Sequence, residues 1–300
     1  MNQVPQRAEH RSSATLTGVA CGTGAALCWA LGFVAARHGI DIGLTPGALA
    51  LHRFVWAGIV LMPLVVHGGI SDLNGIGWGR GIILTILGGP GLAIVSYSGF
   101  LLVPLGHGGV IQPSCAALGG LLLAAVVLHE KVPMMRVIGA AVIVVGLLVI
   151  GGEAIATIGA HGLLGDALFA LAGTFFATFG MLLRLWRIPP MRGTAVISVV
   201  SLICVPLYWL LFGFGTIIEV GLWENLLQAL MQGILAGPVA IYLFTRSVVL
   251  LGASRAAVFP SLVPGFTLLI GFLALGDVPS WAQLAGFAIV LAGFRLAQRV

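Results

Sequence analysis

Charge is what this chain has least of. Only 8% of its 300 residues are Asp, Glu, Lys or Arg, while 59% are hydrophobic. A soluble domain is about 25% charged, so a mainly water-facing surface is excluded. Long polar stretches are missing as well. The longest connections between apolar runs, near 152–161 and 214–225, leave no room for a soluble domain. Cysteine is scarce: Cys21, Cys28, Cys115 and Cys204 all lie within apolar runs, without metal-ligand spacing. A disulfide framework or zinc site is not expected, and these residues are read as small packing groups. There is no H-E-x-x-H motif and no pair of aspartates inside the runs, so a polytopic membrane enzyme finds no catalytic set. A receptor would need ligand-binding loops or an effector domain, and neither is seen. No cleavable signal peptide is expected, because residues 1–13 are polar and the run behind them is long enough to span.

Ten apolar runs fill the rest, near 15–37, 46–67, 80–103, 107–128, 132–151, 162–183, 193–213, 226–249, 254–275 and 280–298. About 20 apolar residues cross a bilayer as a helix. Backbone polar groups must be satisfied inside lipid, so the runs are helices. A barrel would alternate polar and apolar residues over short strands, which this chain does not do. The expected fold is an all-α membrane protein with ten transmembrane helices.

The chain also matches itself at one constant offset. Leu16 falls on Leu163, Gly18 on Gly165, Ala30 on Ala177 and Arg37 on Arg184. The same shift puts Pro113-Ser114 on Pro260-Ser261, Glu130 on Asp277, Gly139 on Gly286 and Gly146 on Gly293. Gly89-Pro90 meets Gly237-Pro238 only after a slip of one residue. The halves are placed at 14–152 and 161–299, behind a tail at 1–13 expected in the cytoplasm. Five spans per half is an odd number, so the second half enters from the opposite side. Inverted repeats of this kind are an architecture of secondary transporters.

The net charge of +5 invites a nucleic-acid reading, but the positions oppose it. Counted from a cytoplasmic start, the inner segments receive Arg7, Arg11, Arg80, Lys131, Arg136, Arg184, Arg187, Arg192, Arg246, Arg255, Arg295 and Arg299. Asp41, Glu153, Glu219, Glu224 and Asp277 fall outside. This is the positive-inside bias, and it sets both termini in the cytoplasm. The basic balance reports topology, and the partner it implies is the lipid bilayer.

Polar residues deep in lipid point to a cavity or pathway. His52 and Arg53 lie within the second run. Arg53 offers a planar fork for a substrate carboxylate. Alternatively, it snorkels to the outer boundary and pairs with Asp41. Ser96 and Tyr97 in the third run, Gln112 and Ser114 in the fourth, and Phe259 and Ser261 in the ninth are further candidates. Pro113 and Pro260 each free a backbone carbonyl, and their symmetric placement suggests kinks at a cavity. Trp29, Phe33, Phe176 and Tyr242 offer stacking faces, whereas Trp78, Trp223 and Trp281 near run ends suit the interface. Gly139/Gly146 and Gly286/Gly293, about two helical turns apart, are assigned to scaffold packing. Asp166 is expected in the first turn of the sixth helix, as an N-terminal acid. Glu130 and Asp277 are expected to cap or pair at the surface. His52 and His107 remain as candidate proton carriers.

The order Pro113, Glu130 in "LHEKVP", Gly139 and Gly146, repeated as Pro260, Asp277 in "LGDVP", Gly286 and Gly293, resembles the drug/metabolite transporter superfamily in its EamA-type ten-helix form. The stretch "CWALGFVAAR", with Trp29 and Arg37, is similar to that family's first span. The chain resembles most the bacterial aromatic amino-acid exporters of the YddG type. That resemblance implies export of aromatic and other neutral amino acids by alternating access around a central cavity. It also implies a multi-pass protein of the bacterial inner membrane, without cofactor or metal. Two pseudo-symmetric halves can complete a pathway within one chain, which leaves the oligomeric state open. The alternatives are export of another small metabolite or drug, or the membrane enzyme already weighed.

Overall fold

In the structure, a computed structural model, residues 4–129, 132–256 and 259–297 are described. Glu130, Lys131 and Arg299, given surface roles above, lie outside the described residues, as do the side chains of Arg7 and Arg11. Ten apolar helical segments follow in order: α1 (Thr15–Asp41), α2 (Pro46–His67), α3 (Trp78–Gly99), α4 (Leu105–Val126), α5 (Met134–Thr157), α6 (Ala160–Leu185), α7 (Pro190–Phe212), α8 (Gly221–Leu251), α9 (Phe259–Leu275) and α10 (Trp281–Ala297). The first eight are long and apolar enough to cross a membrane, and α9 and α10 are shorter apolar helices. Among the described residues there is no strand. The protein is an all-α membrane protein, and large apolar side chains on its outside, such as Leu210, Phe212 and Leu273, suit contact with lipid.

The chain turns back after every segment. The connections after α1, α3, α5, α7 and α9 share one end of the bundle, here the Asp41 end, and the others share the His67 end. Side chains support this: Arg37 of α1 reaches the carbonyls of Phe100 and Val103 behind α3, and His38 meets Glu224 at the start of α8. α1 therefore runs toward the Asp41 end and α6 away from it, as inverted halves require. The packing respects the exchange of halves. α4 lies on α6 and α9 on α1; α1 lies on α8 and α6 on α3; α2 packs on α7, and α5 on α10.

The α5–α10 contact shows why the glycines recur. A Cβ on Gly139 would lie 2.6 Å from the Gly293 carbonyl oxygen, and one on Gly293 would lie 2.7 Å from that of Gly139. Gly146 and Gly286 stand in the same reciprocal relation, at 2.7 and 2.9 Å. Without a hydrophobic drive between helices in lipid, such close backbone approach supplies the attraction.

Several segments depart from simple expectation. The helix that carries α1 already begins at Val4, within the polar tail. α3 is two helices, Trp78–Gly88 and Pro90–Gly99, joined at Gly89, since Pro90 cannot donate to the turn before it. α8 begins earlier than its apolar run, because Gly221–Gln228 is already helical despite Glu224 and Asn225. It then widens into a π-helix over Ala229–Val239 and breaks at Gly237. The ninth run is in pieces: Ala253–Ala256, a 3-10 turn at Phe259–Leu262, and a helix from Val263. Pro113, by contrast, sits inside a helix continuous from Leu105 to Val126.

Candidate functional site

The strongest polar cluster lies where α1, α2, α3 and α8 meet. Gln228 and Gln232 of α8 are fully buried and one turn apart, so they share a face. Gln228 Nε2 donates to the Ala35 carbonyl and Gln232 Nε2 to the Gly32 carbonyl, each at 2.8 Å. Both acceptors are backbone groups of α1. The approach depends on Gly32, where a Cβ would lie 2.7 Å from the Ala236 side chain. Gln232 Oε1 in turn accepts from the Tyr97 hydroxyl at 2.9 Å and from Arg53 Nη1 at 3.3 Å. Arg53 Nη2 reaches the Ala236 carbonyl at 3.4 Å, beside the break at Gly237.

This cluster joins three spans of the first half to one of the second. It also holds a guanidinium against two neutral acceptors. Among the described residues the salt bridges are Arg37–Asp41, His38–Glu224 and His107–Asp166, so no protein carboxylate is shown pairing with Arg53. Asp41 is held by Arg37 at 3.0 Å and not by Arg53. A membrane-embedded cation with neutral partners keeps donors for a carboxylate, and a guanidinium takes one bidentately.

The other sequence candidates divide around this centre. Ser96, one residue from Tyr97, donates to Gln112 Oε1 and ties α3 to α4. Ser114 is buried with a hydroxyl that has no partner. Phe33 packs edge-on to Phe100, and the Trp29 ring lies 5.5 Å from Phe244 of α8. His52 is buried and points elsewhere: its Nδ1 accepts from Trp56, and its Nε2 is unpartnered. Phe259 lies over Gly22 of α1, and Ser261 is buried beside it in sequence. Phe176 and Tyr242 are 45% and 59% exposed and stand outside the cluster. Trp223 and Trp281 are largely exposed near the starts of α8 and α10.

Sequence reasoning passed over the two glutamines. Their signal was available: two amides at i and i+4 in an otherwise apolar span need partners inside the bundle. It also placed Asp166 in a helix-capping first turn. That is corrected, because α6 starts at Ala160, which puts Asp166 nearly two turns inside. There its carboxylate meets His107 Nδ1 of α4 at 2.8 Å, both buried.

Eight helices long enough to span, two shorter apolar ones, inverted packing and a buried polar centre between the halves suit a polytopic helical transporter. The chain belongs to the EamA-like transporter family, whose model matches it twice, over residues 16–152 and 163–297. A solved structure described only as "Crystal structure of protein" is similar to 96% of this chain and 97% of its own, with a TM-score of 0.65 and 21% identity. That likeness supports the fold. No curated protein sequence matches the chain.

Proposed function

We propose that this transporter exports aromatic and other neutral amino acids from the cytoplasm, by alternating access around the Arg53–Gln232–Tyr97 cluster. The observation that carries the reading is Arg53, a guanidinium in the membrane interior held by neutral oxygens. It suits the α-carboxylate of a zwitterion. Gln232 and Tyr97 orient the guanidinium, and Trp29 and Phe33, one turn apart on α1, offer faces for an aromatic side chain. The halves at 14–152 and 161–299 rock about this site, with Pro113 inside α4 and Pro260 in the turn that opens α9. Both termini face the cytoplasm of a bacterial cell, on the positive-inside distribution, and one chain forms the whole pathway.

Proteoliposomes loaded with radiolabelled phenylalanine or with phenethylamine, which lacks the carboxylate, test this. Phenylalanine efflux is expected, with phenethylamine far slower. A hydrogen bond to a charged group is worth about 1.5–3 kcal/mol, so Arg53→Gln should lose roughly tenfold or more in phenylalanine transport. Parental rates in Arg53→Gln would remove the arginine from the site.

A further inference from the structure

His107 and Asp166 form a second buried polar group that the amino-acid site does not use. Their side chains are 2% and 8% exposed, and His107 Nδ1 lies 2.8 Å from Asp166 Oδ1. Asp166 Oδ2 is buried and unpartnered. A buried ionisable pair within membrane spans is costly, and acids facing histidines there are typical of proton relays. The pair has two protonation states that matter. With neutral imidazole it carries one negative charge, and with one more proton on the imidazole the two charges cancel.

Position adds to chemistry. His107 is on α4 and Asp166 on α6, so the pair bridges the two halves. Beside it opens a cleft of about 340 Å³ at the Asp41 end, lined by Leu105, Gly106, Glu153, Asp277 and Gln283 among others. Glu153 and Asp277 each have one buried carboxylate oxygen without a partner. An acid-lined cleft raises the local proton concentration, and Gly106 is the residue before His107.

The charged and titratable groups around the pair come from every neighbouring element. α5 brings Glu153, two residues from Gly151, whose Cβ would lie 3.7 Å from Asp166 Oδ2. The α9–α10 connection brings Asp277. α6 itself brings the exposed His161, and α4 brings Cys115. Arg37 of α1 binds the Phe100 and Val103 carbonyls nearby. Thr267 of α9 and Gln283 of α10, beside Gly109 and Gly106, are neutral.

A packed path leads to the amino-acid centre. Phe169, three residues after Asp166, packs edge-on against Phe100 at 4.8 Å, and Phe100 packs on Phe33. Phe100 follows Tyr97 by three residues. A shift between α6 and the end of α3 therefore touches both sites.

We propose that the His107–Asp166 pair is a proton-binding site, filled from the acid-lined cleft, through which a proton gradient drives amino-acid efflux. One proton enters from the side of the Asp41 end, binds the pair, and leaves on the other side as the halves rock. An O–H bond of water or of a carboxyl in the cleft breaks as the imidazole N–H forms, the reverse happens on release, and no electron moves. The direction of substrate rests on the function proposed above; the proton site rests on the geometry of the pair.

Two experiments separate these. The first needs no substrate. On potentiometric titration of the purified protein, the parent should take up more protons than the double variant His107→Gln/Asp166→Asn, which lacks both titratable groups of the pair. The second uses proteoliposomes loaded with radiolabelled phenylalanine. An inward proton gradient should accelerate efflux by the parent severalfold. Asp166→Asn should keep exchange at equal pH and lose the response to the gradient, with Asp166→Glu regaining part of it. A double variant that titrates like the parent, or an Asp166→Asn protein that responds to the gradient like the parent, overturns the proposal. If the parent exchanges no phenylalanine, the amino-acid reading fails and the titration decides the proton site alone. If Asp166→Asn does not fold, His107→Gln gives the gradient reading and the titration compares the parent with whichever variants fold.

Discussion

At the α4–α6 interface a ring from α6, Phe169, fills the space over Gly108 of α4. At its mate, the α9–α1 interface, a ring from α9, Phe259, fills the space over Gly22 of α1. The repeat offset puts Phe169 on Gly22, and Phe259 on Gln112. Knob and hole have therefore changed helices while the helices still meet. The polar groups differ more. The offset puts Ser254 on His107 and Val19 on Asp166, so the mate of the ion pair carries neither an imidazole nor a carboxylate. Around Ala26, Ala30 and Val263 that interface is apolar. The backbone approach is common to both halves, whereas the side chains that fill it have diverged. Symmetric architecture here carries unequal chemistry at its two ends.

The α5–α10 contact is the reference for this comparison, since there the halves still agree. Gly139→Leu or Gly293→Leu would drive a side chain into the facing backbone. Both variants should lose the folded protein to the same extent, seen as aggregation on size-exclusion chromatography in detergent. Survival of one and loss of the other would show that this contact too has become asymmetric.

Phe169→Ala comes next. Phe169 is fully buried, and emptying such a site costs about 3–5 kcal/mol in a core. The loss should appear as a lower thermal midpoint. Phe259→Ala should cost less, because its ring lies over Gly22 in a segment already broken into short turns. Equal losses would make the exchanged knobs equivalent.

The smallest effect is expected at the prolines. Pro113→Ala restores a hydrogen bond within a continuous helix and straightens α4. Pro260→Ala acts in a 3-10 turn, where no helix runs through to be straightened. Pro113→Ala should slow turnover several-fold with substrate binding retained, and Pro260→Ala should do less, with the opposite bias between access states. Parental rates in both would reduce the prolines to packing features.

Much of the architecture was legible because lipid imposes it. Apolar runs of spanning length become helices, and α2, α4 and α6 start within two or three residues of their runs. Breaks were less legible. Nothing local distinguishes Pro113, tolerated in a helix, from Pro260, which sits in a turn; the packing of Phe259 on Gly22 differs instead. In the site, Arg53 and Tyr97 stood out because charge and hydroxyl are rare in the runs. The residue that joins them, Gln232, did not, since its role depends on which face of α8 meets Gly32. Asp166 was misplaced by the helix start alone. A short shift in the start of α6 turned a surface acid into a buried partner of His107.

The π-helix of α8 explains the slip of one residue between the two Gly-Pro pairs. A span enclosed by lipid and neighbours has nowhere to loop out an inserted residue, and a widened turn is the way a helix absorbs one. Left in a regular helix, the extra residue would turn everything beyond it by about 100° around the axis. The widened turn over Ala229–Val239 takes it up instead, so the two flanks of α8 keep their facing. Gln228 lies at the edge of this stretch and Gln232 within it. The widened turn thus fixes the angular phase that sets their amides against the Gly32 and Ala35 carbonyls, and forcing it into a regular helix would turn Gln228 away without touching it.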